Sequence, residues 1–136
     1  KKYVEKIRNN SVFKKKIFLL NYIKNGKDLI NQSDIVLISS QEWESFGFTA
    51  VEAMARKKPV ISTNIGGLRE VVGTHLETGF LFEKNDIDGF SEAIIKLSSD
   101  ERLRKKIGLN GYERGKQLFD VNIMSRKYKN LISQGY

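Results

Sequence analysis

Short apolar runs alternate with segments of helical spacing through the first two thirds of the chain. The runs lie at residues 17–20, 35–38, 60–62 and 79–82, and they lack the apolar–polar alternation of a half-exposed strand. Such runs are typical of strands that are buried on both faces. The segments between them predict short helices, at 27–32, 48–56 and 66–72. Strands that alternate with helices predict a parallel sheet with right-handed crossovers.

The pattern after residue 85 is helical only. Asp86 is a predicted N-cap, Ser98 or Ser99 is predicted to cap the next helix, and Asp120 is predicted to cap the last. Apolar residues recur at helical spacing behind these caps, at Ile87, Phe90, Ile94, Leu97, Leu103, Ile107, Met124, Tyr128 and Leu131. A further short helix is predicted over 2–9. The whole pattern indicates an α/β, Rossmann-like parallel sheet with flanking helices and a helical carboxyl-terminal tail.

Composition narrows the class of protein. The 136 residues are 40% hydrophobic and 29% charged, an ordinary globular composition with enough length for one core. We expect one domain over 1–136 with tail helices over about 86–136, and Lys1 in place of a Met predicts that its amino-terminal part is missing. No apolar run approaches the roughly 18 residues that cross a bilayer. Cysteine is absent, which excludes disulfides and thiolate metal sites and makes a cytoplasmic location the default expectation.

The net charge of +8 makes three kinds of anionic partner possible. Nucleic acid, an anionic membrane surface and phosphorylated substrates would each be attracted by it. The basic residues are spread over 14–16, 56–58, 102–106 and 126–127, without the interleaved aromatic residues of single-strand binders. Solvated, lysine-rich faces are the simplest interpretation. Nucleic acid is not expected, and association with the inner face of a membrane is kept as an alternative.

Two carboxylates flank the turn between the second predicted strand and the helix that follows it. Ligands of a parallel sheet bind beyond the carboxyl ends of its strands, so Glu44 lies where a ligand would be met. Glu52 leans back toward the same place, because helical side chains tilt toward the helix amino terminus. On spacing alone, an ion pair between Glu52 and Arg56 and a solvated loop position for Glu44 are the simpler interpretations.

The two glutamates are part of a longer motif that includes the residues before, between and after them. Ser-Asp-Ile precedes them at 33–35, Glu-Ser-Phe-Gly-Phe-Thr-Ala-Val-Glu-Ala-Met-Ala fills 44–55, and Pro-Val-Ile and Gly-Gly follow. This stretch resembles the E-x7-E signature of retaining glycosyltransferases with the GT-B fold, of the family 4 type that includes many bacterial mannosyl-, glucosyl- and capsule-building enzymes. The resemblance covers essentially the whole chain. It departs from the family at Ser45 and near Lys57, where Gly is usual.

The resemblance implies a fold and a reaction. The chain would be the carboxyl-terminal, donor-binding half of a GT-B enzyme, with a missing amino-terminal domain as its partner. A nucleotide-sugar would lie between the two domains, and its sugar would pass to an acceptor hydroxyl with retention, in polysaccharide or glycolipid biosynthesis. Neither a cofactor nor a metal is implied, since hydrogen-bond donors and basic side chains, some of them upstream of Lys1, would stabilise the leaving diphosphate. The chain alone is expected to be inactive.

The family's site residues carry over position by position. Glu44 matches the catalytic glutamate beside the donor sugar, where it would orient hydroxyls and stabilise positive charge near the anomeric carbon. Glu52 matches the glutamate that accepts hydrogen bonds from the two ribose hydroxyls, which suit the two oxygens of a carboxylate. The diphosphate is assigned to the unpaired first amides and the dipole of the helix start, at Phe46, Gly47, Phe48 and Thr49.

Four further donor-site candidates have two interpretations each. Tyr22 and Ile23 follow the first predicted strand, where the family grips the nucleotide base, but core packing explains them equally well. Gly66 and Gly67 either face the donor phosphates or the cleft, or they only supply turns with positive φ.

Two other features are not assigned to a metal. Asp86-Ile87-Asp88 superficially resembles a D-x-D metal motif, but Asp86 is better explained as a helix cap. His75 is a lone histidine, so it cannot form a metal cluster. Two other classes of function compete: a non-catalytic nucleotide-binding or receiver-like domain, and a basic membrane or nucleic-acid adaptor. A receiver would need an acidic cluster at a strand end, where this chain has Ser and Thr.

Overall fold

The computed structural model describes residues 5–6, 9 and 16–134. The strands are β1 (Val36–Ile38), β2 (Val60–Thr63) and β3 (Phe80–Phe82). The helices are α1 (Gly26–Gln32), α2 (Phe48–Met54), α3 (Gly66–Val72), α4 (Ile87–Ser99), α5 (Glu101–Phe119) and α6 (Val121–Ser133). The helix predicted over 2–9 lies largely outside the described residues.

The three strands form one parallel sheet in the order β1-β2-β3, as the alternating pattern predicts. Val36 pairs with Val60, and Ile61 pairs with Phe80. The central strand β2 is buried along its whole length, because helices cover both faces of the sheet. This arrangement aligns the carboxyl ends of all three strands at one edge, where the connecting loops begin.

The core has a separate layer on each face of the sheet. On one face Val60 packs with buried side chains of α2 and α3, which are Ala50, Ala53, Met54, Leu68, Val71 and Val72. On the other face Ile61 and Phe80 pack with residues of α4 and α5, which are Ala93, Leu97 and Ile107. The apolar spacing of the sequence therefore corresponds to the inward faces of these helices.

The strand predicted at 17–20 is not formed. These residues carry no ladder hydrogen bonds, and Phe18 and Leu20 are 76% and 59% exposed. An apolar run becomes a strand only where a neighbouring strand offers backbone partners, and the described sheet offers none to this segment. Tyr22 and Ile23 consequently follow an irregular segment instead of a strand.

Two helix boundaries differ from the prediction. The helix predicted to reach Arg56 ends at Met54, and the chain then turns through Lys57, whose φ is +56°. Ser98 and Ser99 remain inside α4, and Asp100 is the residue that caps α5, through a 2.9 Å bond from the Leu103 N–H to its carboxylate. Ser99 donates back to the Ile95 carbonyl, which continues the helix instead of ending it.

The other predicted caps are confirmed. The Asp86 carboxylate accepts from the Gly89 N–H at 2.8 Å at the start of α4. The Asp120 carboxylate accepts from the Asn122 N–H at 2.8 Å at the start of α6. The last helix, α6, buries none of its residues, and its apolar side chains Val121, Met124, Tyr128 and Leu131 are all more than half exposed. Among the described helices, none combines the length and apolarity that a bilayer crossing needs.

Candidate functional site

The segment that connects β1 to α2 holds the predicted sugar-binding carboxylate. We call residues 39–47 the carboxylate loop. It starts at the carboxyl end of β1, and Glu44 lies within it, half-buried. The Thr63 hydroxyl donates to the Ser40 carbonyl at 2.7 Å, and the Gly67 N–H donates to the Glu44 carbonyl at 3.0 Å. The backbone that carries Glu44 is therefore bonded to the turn after β2.

Gly47 ends the loop and sets the direction of α2. Its φ of +97° lies in the left-handed region, and a Cβ there would come within 2.8 Å of Leu68 Cδ2. As the N-cap of α2, Gly47 supplies no capping side chain. The first amides of the helix, at Phe48 and Thr49, therefore have no side-chain acceptor of the capping kind.

Phe46 of the carboxylate loop packs against the tail. The Phe46 ring lies 4.9 Å from that of Phe48 and 5.7 Å, edge-on, from that of Phe119 at the end of α5. Phe46 is partly buried, whereas Phe48 is 74% exposed. These contacts attach the helical tail to the loop that carries Glu44.

A cleft of about 380 Å³ lies between α1, β1 and α2. Its lining is mostly apolar with one carboxylate, and includes Ile23, Gly26, Ile30, Leu37, Thr49 and Glu52. An apolar wall beside a carboxylate acceptor suits a flat base attached to a sugar diol. The structure thus brings together three of the predicted donor-site residues, Ile23, Thr49 and Glu52.

The alternative interpretation of Glu52 as an ion-pair partner is not supported. Arg56 donates through Nη1 to the Glu52 backbone carbonyl at 2.8 Å, and not to the carboxylate. The half-buried Glu52 side chain is therefore left to line the cleft. Tyr22, by contrast, is 91% exposed and does not line the cleft beside Ile23.

The two glycines after β2 contact the backbone of the carboxylate loop. Gly66 has a φ of +45°, the turn conformation that the sequence left as one of two alternatives. The Gly67 N–H is used by the Glu44 carbonyl. Gly67 therefore contributes through contact with the loop, and its amide is not free for a phosphate oxygen.

Asp86 and His75 have structural partners. Asp86 caps α4, as described above. The His75 Nδ1 accepts from the Leu81 N–H at 3.0 Å, and its ring packs edge-on against Phe80 and Phe82. Within the described residues, no three His, Asp or Glu side chains are grouped as a metal site would require.

A lowered carboxylate pKa occurs at the opposite end of the sheet. The Lys105 ammonium, hydrogen-bonded to Glu101 at 2.6 Å, lowers the pKa of that carboxyl group. Glu101 lies beside Asp34 and Pro59, which precede β1 and β2. This pair is thus at the amino ends of the strands, away from the carboxylate loop.

Two contacts of the site have no signal in the sequence pattern. Thr63 is the last residue of β2 and is fully buried, so its pattern position indicates only a strand. Phe119 has helical spacing typical of a core residue, and nothing in that spacing indicates that it meets Phe46. A hydroxyl residue at the carboxyl end of a buried strand is the one feature that identifies Thr63 as a candidate.

Known proteins that are similar to this chain in sequence and fold include glycosyltransferases. Residues 1–114 match the family described as glycosyl transferases group 1. The capsular polysaccharide biosynthesis glycosyltransferase CapM of Staphylococcus aureus is 32% identical over 115 residues, which are 85% of this chain and 30% of that protein. The chain thus spans about a third of the curated relatives it matches.

Solved structures give the same result at the level of fold. The carboxyl-terminal domain of a glycosyl transferase group 1 family protein, LpcC, from Francisella tularensis is 30% identical, with a TM-score of 0.79 over 88% of this chain and 62% of that one. HepE from Anabaena, solved in complex with UDP, has a TM-score of 0.91 over 98% of this chain and 36% of that one, at 24% identity.

Proposed function

The chain belongs to the glycosyl transferases group 1 family and has the fold of the carboxyl-terminal domain of a GT-B glycosyltransferase, and from this premise we propose that it binds the sugar donor. The intact protein would transfer a sugar from a nucleoside diphosphate-sugar to an acceptor hydroxyl, with retention of anomeric configuration. CapM acts in capsular polysaccharide biosynthesis, which supports a polysaccharide or glycolipid as the product. We place this reaction in the cytoplasm.

The cleft beside α2 is the observation on which the proposal rests. Glu52 and Thr49 of α2 line it together with Ile23, and a carboxylate there can accept hydrogen bonds from both hydroxyls of a ribose. The apolar side chains of α1 and β1 provide a wall for the base. UDP is the ligand in the HepE structure, and a uridine nucleotide is therefore the first donor to test.

Glu44 is proposed to act on the sugar. In the reaction the bond between the anomeric carbon and the diphosphate oxygen breaks, and a bond to the acceptor oxygen forms. Positive charge develops at the anomeric carbon during this exchange, and a carboxylate in the adjoining loop would stabilise it. The diphosphate leaves with the bonding electrons, and the proton of the acceptor hydroxyl is released.

We further propose that the leaving diphosphate is neutralised without a bound metal. The amides at the start of α2 have no capping side chain to compete with a phosphate oxygen. The helix has only seven residues, so its dipole is weak, and basic side chains must provide most of the positive charge. Following the family resemblance, we propose that a basic pair upstream of Lys1 takes this role.

The remaining part of the intact protein is proposed to be the amino-terminal GT-B domain, which would contribute the acceptor site. The uncovered apolar face of α6 gives this domain a surface to cover. Contact with an anionic membrane through Arg126, Lys127 and Lys129, which lie on the same helix, is the competing use of that face.

Substitution of Glu52 tests the proposed donor site. We expect Glu52→Ala to weaken nucleoside diphosphate binding by about 1.5–3 kcal/mol, the range for charge-assisted hydrogen bonds, because both ribose hydroxyls lose their acceptor. Glu92→Ala is the matched control, since Glu92 is an exposed helical carboxylate on α4, outside the cleft. Isothermal titration calorimetry with UDP, GDP and ADP measures both variants.

Equal affinity of Glu52→Ala and Glu92→Ala for the nucleotide would overturn the ribose assignment. The two other classes of function give different results in the same experiment. An adaptor would bind anionic vesicles or duplex DNA and none of the nucleotides. A non-catalytic nucleotide module would bind the nucleotide but show no transfer in the intact protein.

A further inference from the structure

The carboxylate loop is anchored at two points by residues 63–67, the end of β2 and the start of α3, which we call the turn. At one point the fully buried Thr63 donates its hydroxyl to the Ser40 carbonyl at 2.7 Å. At the other point the Gly67 N–H donates to the Glu44 carbonyl at 3.0 Å. The exposed residues 41–43 lie between the two anchored carbonyls. The path of that segment is therefore determined by a neighbouring turn as well as by its own sequence.

The contact between the turn and the loop is too close for side chains. A Cβ on Gly66 would lie 2.1 Å from the Glu44 carbonyl oxygen. A Cβ on Gly67 would lie 2.6 Å from the Ser45 oxygen and from Phe46 Cα. These are backbone atoms, which cannot rotate away as the end of a side chain can. The glycine pair therefore lets the loop lie directly on the turn.

The turn itself is held in place by β3 and α3. The Asn64 N–H donates to the Phe82 carbonyl at 2.7 Å, and the Asn64 side chain donates to Glu83 at 2.8 Å. Arg69 Nε donates to the Asn64 side-chain oxygen at 3.0 Å. The residues at 63–67 are thus a fixed surface against which the loop is shaped.

We propose that Thr63 and Gly67 are positioning residues for the donor sugar. They hold the Ser40 and Glu44 carbonyls toward the turn. Because C=O and N–H point in opposite directions in a planar trans peptide, the N–H groups of the same two peptide units point away from the turn. The Glu44 carboxylate is thereby set relative to the anomeric carbon, while the nucleoside stays in the separate cleft at Glu52. This inference rests on the proposed function of the site.

The proposal predicts that loss of the Thr63 hydroxyl separates sugar recognition from nucleotide binding. The probes are UDP, GDP and ADP and their glucose-linked forms, titrated into the intact protein that contains this chain. For Thr63→Val we expect nucleoside diphosphate affinity within about twofold of the unaltered protein. We expect turnover of the matching nucleotide-sugar to fall tenfold or more, as misplacement of a reacting group by about 1 Å does. Thr63→Ser keeps the donor and should restore turnover to within about threefold.

Thr78→Val is the matched control. Thr78 also donates its hydroxyl to backbone carbonyls, those of Val72 and Thr74, but in a turn that does not touch the loop. It should lower the melting temperature without changing the ratio of turnover to nucleotide affinity. If Thr63→Val does not fold, Gly67→Ala provides the second test, because its Cβ displaces the backbone at Ser45 and Phe46 and leaves Thr63 intact.

The outcomes are distinguishable from failure of the proposed function. If the unaltered protein binds none of the probes, the proposed function is wrong and the inference with it. If it binds and turns over a nucleotide-sugar, unchanged turnover in the altered loop overturns the positioning role alone. An equal loss of nucleotide affinity and turnover in Thr63→Val, without rescue by Thr63→Ser, likewise overturns it.

Discussion

Gly47 holds a φ of +97° at the junction of the carboxylate loop and α2, with Leu68 directly behind its Cα. An L-residue in this region costs about 1–2 kcal/mol, because its Cβ approaches the following carbonyl. A side chain here would also press on Leu68, which is fully buried in the layer under α2 and α3. The backbone conformation of this one residue thus links the site to the core.

At this scale we predict that Gly47→Ala lowers the free energy of unfolding by about 1–2 kcal/mol and also weakens nucleotide binding, because relief of the strain tilts the start of α2. Gly115→Ala is the control, since a Cβ at Gly115 makes ordinary contact at 3.7 Å, its φ is not positive and it lies outside the cleft. Urea denaturation measures the stability of both variants, and calorimetry measures their nucleotide affinity. A Gly47→Ala variant as stable as Gly115→Ala would contradict the strain argument.

Some of the proposed site residues follow from the sequence and others do not. Glu44, Gly47 and Glu52 are proposed from their spacing and neighbours, since a motif fixes residue types at fixed intervals. Thr63 is not, because its role depends on a hydrogen bond across 23 residues, which no periodicity encodes. For the same reason the sequence left open whether Gly67 serves the ligand or the loop.

At the scale of elements, α5 is distinguished by glycines that face two different surroundings. Gly108 is buried against the turn at Lys57, and its Cβ would lie 2.1 Å from the Lys57 carbonyl oxygen. Gly115 faces the Met54 side chain, where a Cβ would make ordinary contact at 3.7 Å. The absence of a side chain at Gly108 therefore permits the close packing of α5 on the end of α2.

We predict opposite effects of the same substitution at these two positions. Gly108→Ala should destabilise the fold by about 2 kcal/mol, because the clash is with backbone that is already turning through a positive φ at Lys57. Gly115→Ala should stabilise it by about 0.5–1 kcal/mol, the difference in helix propensity between Ala and Gly. Thermal and urea unfolding of the two variants measure the difference, and a stable Gly108→Ala would mean that α5 shifts without cost.

The sequence predicts the type of an element where a strand is buried on both faces or where a helix is capped by a residue next to it. The strands at Val60 and Phe80 and the capped helices follow from apolar runs and Asp caps. The run at 17–20 is similarly apolar, yet among the described residues no strand lies beside it to complete its hydrogen bonds. The composition of a segment indicates that it can be buried, but a β-ladder also requires a second strand in register.

At the scale of the whole molecule, a large apolar surface remains uncovered in the described residues. It is the exposed side of α6, where Val121, Met124, Tyr128 and Leu131 are all more than half exposed. The two core layers are nevertheless complete around β2. A stable core beside an uncovered face is consistent with the proposed second domain.

We therefore predict that this chain alone folds cooperatively and binds nucleotide weakly but does not transfer sugar. Positioning an acceptor hydroxyl and excluding water are worth several kcal/mol of barrier, and we assign both to the second domain. Circular dichroism melting checks the folding, and nucleotide release in the presence of donor and acceptor checks the activity. Release at the rate of the intact protein would show that a second domain is not needed for the chemistry.

The bond from Thr63 to Ser40 also has a consequence for the order of events during folding. Only 23 positions separate its two ends, so the intervening chain closes at a small entropic cost. The pairing of β1 with β2, in which Val36 lies opposite Val60, closes nearly the same interval of chain. Once these two strands pair, the bond from Thr63 to Ser40 needs little further loop closure, so we expect the carboxylate loop to take its shape together with the sheet.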